Sequence, residues 1–283
     1  MTLLIILVLL LLIYAELIRP NLPRRDISPL MGVDYAHRGL WNANKAADLP
    51  DPAQPLRPEN SLAAFRAAVE KGYGIELDVH LTRDGHLVVH HDDSLLRLTG
   101  TDRRIFQSTL AEVRACLLPN GEPVPTFDEV LETVAGRIPM IVEAKVENGN
   151  ADALAKAVYE RMQRYDGPWC MESFAPSAVK WFRLNAPEVI RGQLAFDHAG
   201  SGKTAFLFLR NLGIASMLQN VLSRPDFVAF EASSVKWHTL SIHLLRRMKP
   251  WFVAWTVRSQ AEMDKLRSRW DLQIFEKFEA KKQ

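Results

Sequence analysis

The sequence predicts an α/β fold: a (β/α)8 barrel of parallel strands carrying a β-hairpin after its second strand. Two observations predict it. Short, mostly apolar runs alternate with longer stretches of helical periodicity, the pattern of parallel strands joined by crossover helices. Counting the hairpin once, there are eight such units, the number that closes a barrel. A doubly wound open sheet is the alternative, but no Gly-rich nucleotide fingerprint follows the first strand.

In chain order, Val33 to His37 is the first strand and Leu40 to Arg57 a polar, proline-rich loop. Leu62 to Lys71 is a helix, with Leu62, Phe65 and Val69 on its buried face and Gly72 at its stop. The hairpin runs from Gly74 to Asp93. Thr109-Leu110-Ala111-Glu112 and Thr126-Phe127-Asp128-Glu129 are capping-box patterns that open two more helices. Pro139 to Lys145, Trp169 to Phe174, Val189 to Ala195, Phe227 to Glu231, Trp251 to Val257 and Leu272 to Phe275 are the remaining strands. Helices lie between them, over Asp152 to Gln163, after Pro176, over Lys203 to Leu222, over His238 to Met248 and after Ser259.

A chain of 283 residues buries a large core, and a net charge of +2 gives no argument for a nucleic-acid partner. Zinc-finger spacing and RNA-binding signatures are both missing, and two distant cysteines, Cys116 and Cys170, form no framework. The N-terminus stands apart. Thr2 to Ile18 is almost entirely aliphatic, near the lower limit of about 17 residues for a bilayer span. It has no basic start and no clear cleavage site, so the reading is an uncleaved transmembrane anchor over residues 1–19. A proline-containing linker over 20–31 and a single catalytic domain over 32–283 follow. Arg19, Arg24 and Arg25 behind the apolar run place the domain in the cytoplasm by the positive-inside bias.

The chemistry starts in the hairpin. Taking Asp84-Gly85 as a two-residue type I′ turn pairs Leu81 with Val88 and Asp78 with His91. Glu76 and Asp78 then share one face, because side chains alternate along a strand. Two close carboxylates repel unless a cation neutralises them, and oxygen-only donors favour Mg²⁺ or Ca²⁺ over zinc. Glu143 and Lys145 also share a face. In a barrel, His37, Glu76, Asp78 and Glu143 all fall at the C-terminal strand ends, where active sites sit. Alternation turns His90 away from His91 into a structural role, and His80 and His86 read as solvent-exposed.

His37-Arg38-Gly39, Pro58-Glu59-Asn60-Ser61, Glu76-Leu77-Asp78, His91-Asp92 and Glu143-Ala144-Lys145 occur in this order. With Ser173-Phe174 and Trp255-Thr256-Val257, they resemble the glycerophosphodiester phosphodiesterase family of TIM barrels, over Tyr35 to about Phe278. The resemblance implies that Glu76, Asp78 and Glu143 bind a divalent cation and that His37 and His91 serve as acid and base; His91 is read as the acid and His37 as the base. It further implies that Arg38 and Lys145 hold the phosphate, and that Glu59, Asn60 and Trp255 contact substrate. The implied reaction is hydrolysis of a glycerophosphodiester to sn-glycerol 3-phosphate and an alcohol. A lysophospholipase D on the same barrel and a barrel that binds without catalysis are the alternatives. The last strand, Ile274-Phe275-Glu276-Lys277-Phe278, departs from the Thr-Asp pattern common in that family.

Overall fold

The computed structural model describes residues 1–45, 54–197, 204–235 and 239–281. Its strands are β1 (Tyr35–His37), β2 (Gly74–Leu81), β3 (Leu87–Val89), β4 (Met140–Ala144), β5 (Trp169–Ser173), β6 (Arg191–Ala195), β7 (Phe227–Glu231), β8 (Trp251–Val257) and β9 (Leu272–Phe275). Their spatial order is β1-β9-β8-β7-β6-β5-β4-β2-β3, and a β1–β2 pairing closes the ring. Eight strands are parallel. β3 alone runs antiparallel, on β2. The barrel and its hairpin are as the sequence predicts.

The helices are α1 (Thr2–Leu17), α2 (Leu62–Glu70), α3 (Leu96–Thr99), α4 (Leu110–Arg114), α5 (Phe127–Val134), α6 (Ala151–Met162), α7 (Pro176–Asn185), α8 (Ala205–Ala215), α9 (Asn220–Ser223), α10 (Leu240–Met248) and α11 (Gln260–Leu266). Both predicted capping boxes form, at Thr109/Glu112 and Thr126/Glu129. Ser61 caps α2 by accepting from the Ala64 N–H at 3.1 Å. Apolar helix faces pack on the outer strand faces in one large core, while Val88, Leu95, Ile105, Val113 and Val124 form a smaller core beneath the insertion after the hairpin.

The N-terminus differs from expectation. α1 has sixteen residues, about 24 Å at 1.5 Å per residue, against a hydrocarbon thickness of about 30 Å. Among the described residues no helix is long and apolar enough to cross a membrane, so the transmembrane helix over 1–19 is corrected. The helix stops because Ile18 is buried on the barrel and Pro20 follows it. The range read as a linker, 20–31, packs as a plug. Ile27 and Leu30 are buried with Tyr35, Phe227, Val253 and Ile274 at the N-terminal end of the barrel. The arginines behind α1 are engaged there: Arg24 lies 3.2 Å over the Trp251 ring, and Arg25 donates to the Pro187 carbonyl at 2.7 Å. Of the long loop Leu40 to Arg57, residues 46–53 lie outside the described residues, as does His238.

Candidate active site

Strand register assembles the site. His37 pairs with Glu76, Asp78 with Glu143, and Glu143 with Glu172 across β1, β2, β4 and β5. Neighbouring strands lie about 4.8 Å apart, so four acids and an imidazole converge on one end of the barrel. Ligand atoms of Glu76, Asp78 and Glu143 all lie within 4.8 Å of one another, and all three residues are buried. The first turn after β1 is specialised. Arg38 and Gly39 both have positive φ, +58° and +80°, and a Cβ at Gly39 would stand 3.0 Å from Ala64. This turn aims the Arg38 N–H at Glu76 Oε2 (3.1 Å) while its carbonyl accepts from the Asn60 N–H (2.9 Å).

Protein cations partly balance the acids. Lys145 Nζ bridges Asp78 Oδ1 (2.9 Å) and Glu143 Oε2 (2.8 Å), and Arg38 Nε lies 3.5 Å from Asp78 Oδ2. Burial works against the Lys145 charge, but Asp78 and Glu143 outweigh it and raise the ammonium pKa. Burial would raise Asp78 too, yet Lys145, His91 and Arg38 hold it well below its ordinary value. Glu76 goes the other way. Burial, then Asp78, Glu143 and Glu172, push it well up. Glu143 is raised, by burial ahead of the opposing Lys145, and Glu172 is raised well above its ordinary value by burial and then Glu143. The carboxyls therefore outnumber Lys145 and Arg38, and the excess is held as raised pKa values. A buried all-carboxylate donor set whose protons a cation can displace fits a hard divalent ion.

The histidines have distinct supports. His37 Nδ1 donates to Glu276 Oε2 at 2.8 Å, and its Nε2 lies 3.8 Å from Glu76 Oε2. Burial and then Arg38 lower the His37 pKa, against the opposing pull of Glu276. Glu276 in turn is held at about 2: burial would raise it, but His37 and Arg258 outweigh that. His91 Nδ1 pairs with Asp92 Oδ1 at 2.7 Å, and Arg97 Nε donates to Asp92 Oδ2 at 2.5 Å. His90 is buried, and that burial holds it at about 4, consistent with a structural role.

Two expectations about the hairpin need correction. Its turn has three residues, Arg83-Asp84-Gly85, not two: the Thr82 N–H donates to His86 O, and only Gly85 has positive φ. This is a type I turn closed by a left-handed glycine. The ladder is consequently one residue out, with Leu81 opposite Leu87 and the His90 N–H on Asp78 O (3.0 Å). His80 is not solvent-exposed but buried, with Nδ1 2.7 Å from Glu147 Oε1 and Nε2 3.3 Å from His91 O.

Most of the predicted site residues come together. His37, Arg38, Glu59, Glu76, His91, Glu143, Lys145 and Trp255 all line one cavity of about 310 Å³ at the barrel mouth. Asn60 does not line it; its amide donates to Asp78 Oδ2 at 2.8 Å. Glu59 is 1% exposed, and its Oε1 accepts from both Arg38 (2.8 Å) and Arg97 (2.6 Å), so it clamps two guanidiniums. The sequence reading passes over Arg97, Glu172, Arg258 and the role of Glu276. Glu172 lies two residues before Phe174, so the alternation that paired Glu143 with Lys145 was the available signal for it.

The family model described as the glycerophosphoryl diester phosphodiesterase family matches residues 37–270. The chain belongs to this family. Among curated family relatives, a Caldanaerobacter subterraneus glycerophosphodiester phosphodiesterase is 39% identical over 100 residues, 32% of this chain and 41% of that one. One from Bacillus altitudinis is 27% identical over 60% of this chain and 64% of its own length. A human lysophospholipase D is 34% identical over 38% of each chain. The chain thus spans less than two thirds of the length of these curated relatives. Among solved structures, an Oleispira antarctica phosphodiesterase in complex with the product sn-glycerol-3-phosphate has a TM-score of 0.67 at 22% identity. That match covers 87% of this chain and 93% of that one. The Thermotoga maritima glycerophosphodiester phosphodiesterase has a TM-score of 0.60 at 25% identity, over 86% and 94%. The likeness to the first shows a shared fold.

Proposed function

We propose that the protein is a divalent-metal-dependent phosphodiesterase that hydrolyses glycerophosphodiesters to sn-glycerol 3-phosphate and an alcohol. One observation carries the reading: two members of the buried Glu76, Asp78 and Glu143 cluster, Glu76 and Glu143, line a single cavity together with His37, His91, Arg38 and Lys145. Glu76, Asp78 and Glu143 would hold Mg²⁺ or Ca²⁺, which supplies Lewis-acid charge to the phosphoryl oxygens. The chain's own groups do the rest. Arg38 and Lys145 offer positive charge to the dianionic transition state. His37 has its Nδ1 proton committed to Glu276 and its pKa lowered, so its Nε2 is free to take the proton of an attacking water. His91, steadied by Asp92, gives a proton to the leaving alkoxide. Trp255 spends its indole N–H on Ala229 O and presents its ring to the cavity as a wall for the substrate.

Turnover of glycerophosphocholine tests this. Release of sn-glycerol 3-phosphate that EDTA abolishes and Mg²⁺ or Ca²⁺ restores is the expected result. Undiminished turnover in EDTA removes the metal-dependent reading. A second reading, an acylated substrate of the kind the human relative's name states, draws on a larger cavity beside Lys145.

A further inference from the structure

A second cavity of about 790 Å³ adjoins the first, within the range of ligand sites. The two share His91, Glu143, Lys145 and Phe174, so a phosphorus atom beside Lys145 faces both. They differ in chemistry. The smaller gathers Arg38, Glu172, Arg258 and Glu276, which suit a glycerol moiety with free hydroxyls. The larger has a polar end at His80 and Glu147, then walls of Phe174, Pro176 and Phe196, with Leu209, Gly213 and Ile214 of α8 closing its side. His37 lines only the smaller cavity, whereas His91 reaches both.

The outer side of the same wall is apolar too. Phe208 and Leu212 of α8 are exposed, and Leu218, Val221 and Leu222 continue the patch through α9. The last turn of α1 is fastened here: Tyr14 Oη donates to Ser216 O at 2.8 Å and Asn220 Nδ2 donates to Ile18 O at 2.9 Å. Residues 3–13 of α1 are apolar and exposed all round. A helix apolar on every side is stable only when covered. At about 24 Å it enters the hydrocarbon without crossing it. The helix that wants lipid and the wall of the apolar cavity are therefore on one flank of the barrel.

We propose that this cavity is a hydrocarbon-chain subsite seated at a lipid surface by α1 and α8. The substrate is then a glycerophosphodiester whose second alcohol carries an acyl chain. The proposal rests on the phosphodiesterase reading and adds the substrate class and its orientation. The unsubstituted glycerol lies on the His37 side and the acylated alcohol on the His91 side. Water oxygen bonds to phosphorus and its proton passes to His37. The P–O bond to the acylglycerol breaks, and the His91 proton goes to the departing oxygen. The products are a glycerol phosphate and a monoacylglycerol.

The test compares glycerophosphoglycerol with 1-palmitoyl lysophosphatidylglycerol in neutral mixed micelles, using the full chain with Mg²⁺ or Ca²⁺ and products read by mass spectrometry. The expected result is a kcat/KM at least tenfold higher for the acylated diester, with monoacylglycerol as its product. Gly213 has open space where a Cβ would stand and ordinary helical backbone, so Gly213→Phe folds and fills the cavity. It should lower the ratio of the two kcat/KM values about tenfold. Leu212→Asp, on the outer side, should weaken co-flotation with phosphatidylglycerol vesicles. A ratio of one or less for the parent, a ratio that Gly213→Phe leaves unmoved, or lysophosphatidic acid as the product overturns the proposal while leaving the phosphodiesterase intact. Turnover of neither substrate overturns the phosphodiesterase reading and this proposal with it.

Discussion

Metal binding should be visible as stability, without any substrate. Glu76, Asp78 and Glu143 have ligand atoms within 4.8 Å, and Glu76 is pushed well above its ordinary pKa by burial and by its acidic neighbours. In the metal-free protein, Glu76 keeps a proton that the unfolded chain has already lost. The folded state then binds more protons, so stability falls as pH rises from about 4.5 through the folded pKa. A bound cation replaces that proton. At a metal concentration of about 100 times Kd the gain is about 2.7 kcal/mol, and for a domain of this size that is roughly 5–11 °C in Tm. The assay is a thermal melt at pH 6 and pH 8 in EDTA and in 10 mM (roughly saturating) MgCl₂ or CaCl₂. The shift should be larger at pH 8, where fewer protons compete. Glu76→Gln should melt no lower than the parent in EDTA, because it removes a costly buried acid, yet lose the metal-induced shift. Equal melting temperatures with and without either cation at pH 8 would refute the reasoning.

The other expectations concern single contacts. Glu276→Gln should lower kcat by about a hundredfold with KM little changed, because an amide can hold His37 in the wrong tautomer; unchanged kcat would remove the positioning role. His91→Ala should lose about 10²–10⁴ in kcat on glycerophosphocholine and far less on a p-nitrophenyl ester, whose leaving group needs no proton; equal losses would reject His91 as the acid. Leu30→Ala, in the plug, should cost about 2–5 kcal/mol in urea unfolding if the plug is part of the core. The depressed Glu276 carboxyl contributes stability that is present above about 4.5 and lost as pH falls toward about 2, so Glu276→Gln should flatten the acid-unfolding curve in that window.

Strand periodicity and helix caps were legible because they are local. All the barrel strands and both capping boxes lie where apolar runs and Thr-x-x-Glu patterns put them. The acids were legible because register in a barrel follows from strand alternation, which sets Asp78 beside Glu143. What escaped depends on distant packing. Hydropathy marks α1 as a span, but its length is cut by Ile18 docking on the barrel more than two hundred positions away, at Asn220. Ile27 and Leu30 sit among prolines and look like linker, and only the open end of a barrel gives them something to bury against. Arg97 lies in an irregular insertion, and its partners Glu59 and Asp92 belong to two separate loops.

The hairpin brings His91 to the acids through a register other than the expected one. Pairing by a two-residue turn brings His91 opposite Asp78; the three-residue turn brings His90 there instead. A slip of one residue should exchange the two faces and send His91 away from the acids. It does not, because regular pairing stops at Val89 and the His90 N–H makes the last bond, to Asp78 O. Beyond that point side chains set the path. His80, held by Glu147, meets the His91 carbonyl; His90 Nδ1 meets the Asp92 carbonyl; and the Asp92 carboxylate joins the His91 ring to Arg97. Arg97 continues to Glu59, and Glu59 to Arg38. His91 and Arg38 are thus two ends of one chain of charge-assisted hydrogen bonds centred on a buried glutamate. Glu59 and Asn60, expected to touch substrate, both hold charged groups of the site in place: Glu59 its two arginines, and Asn60 Asp78.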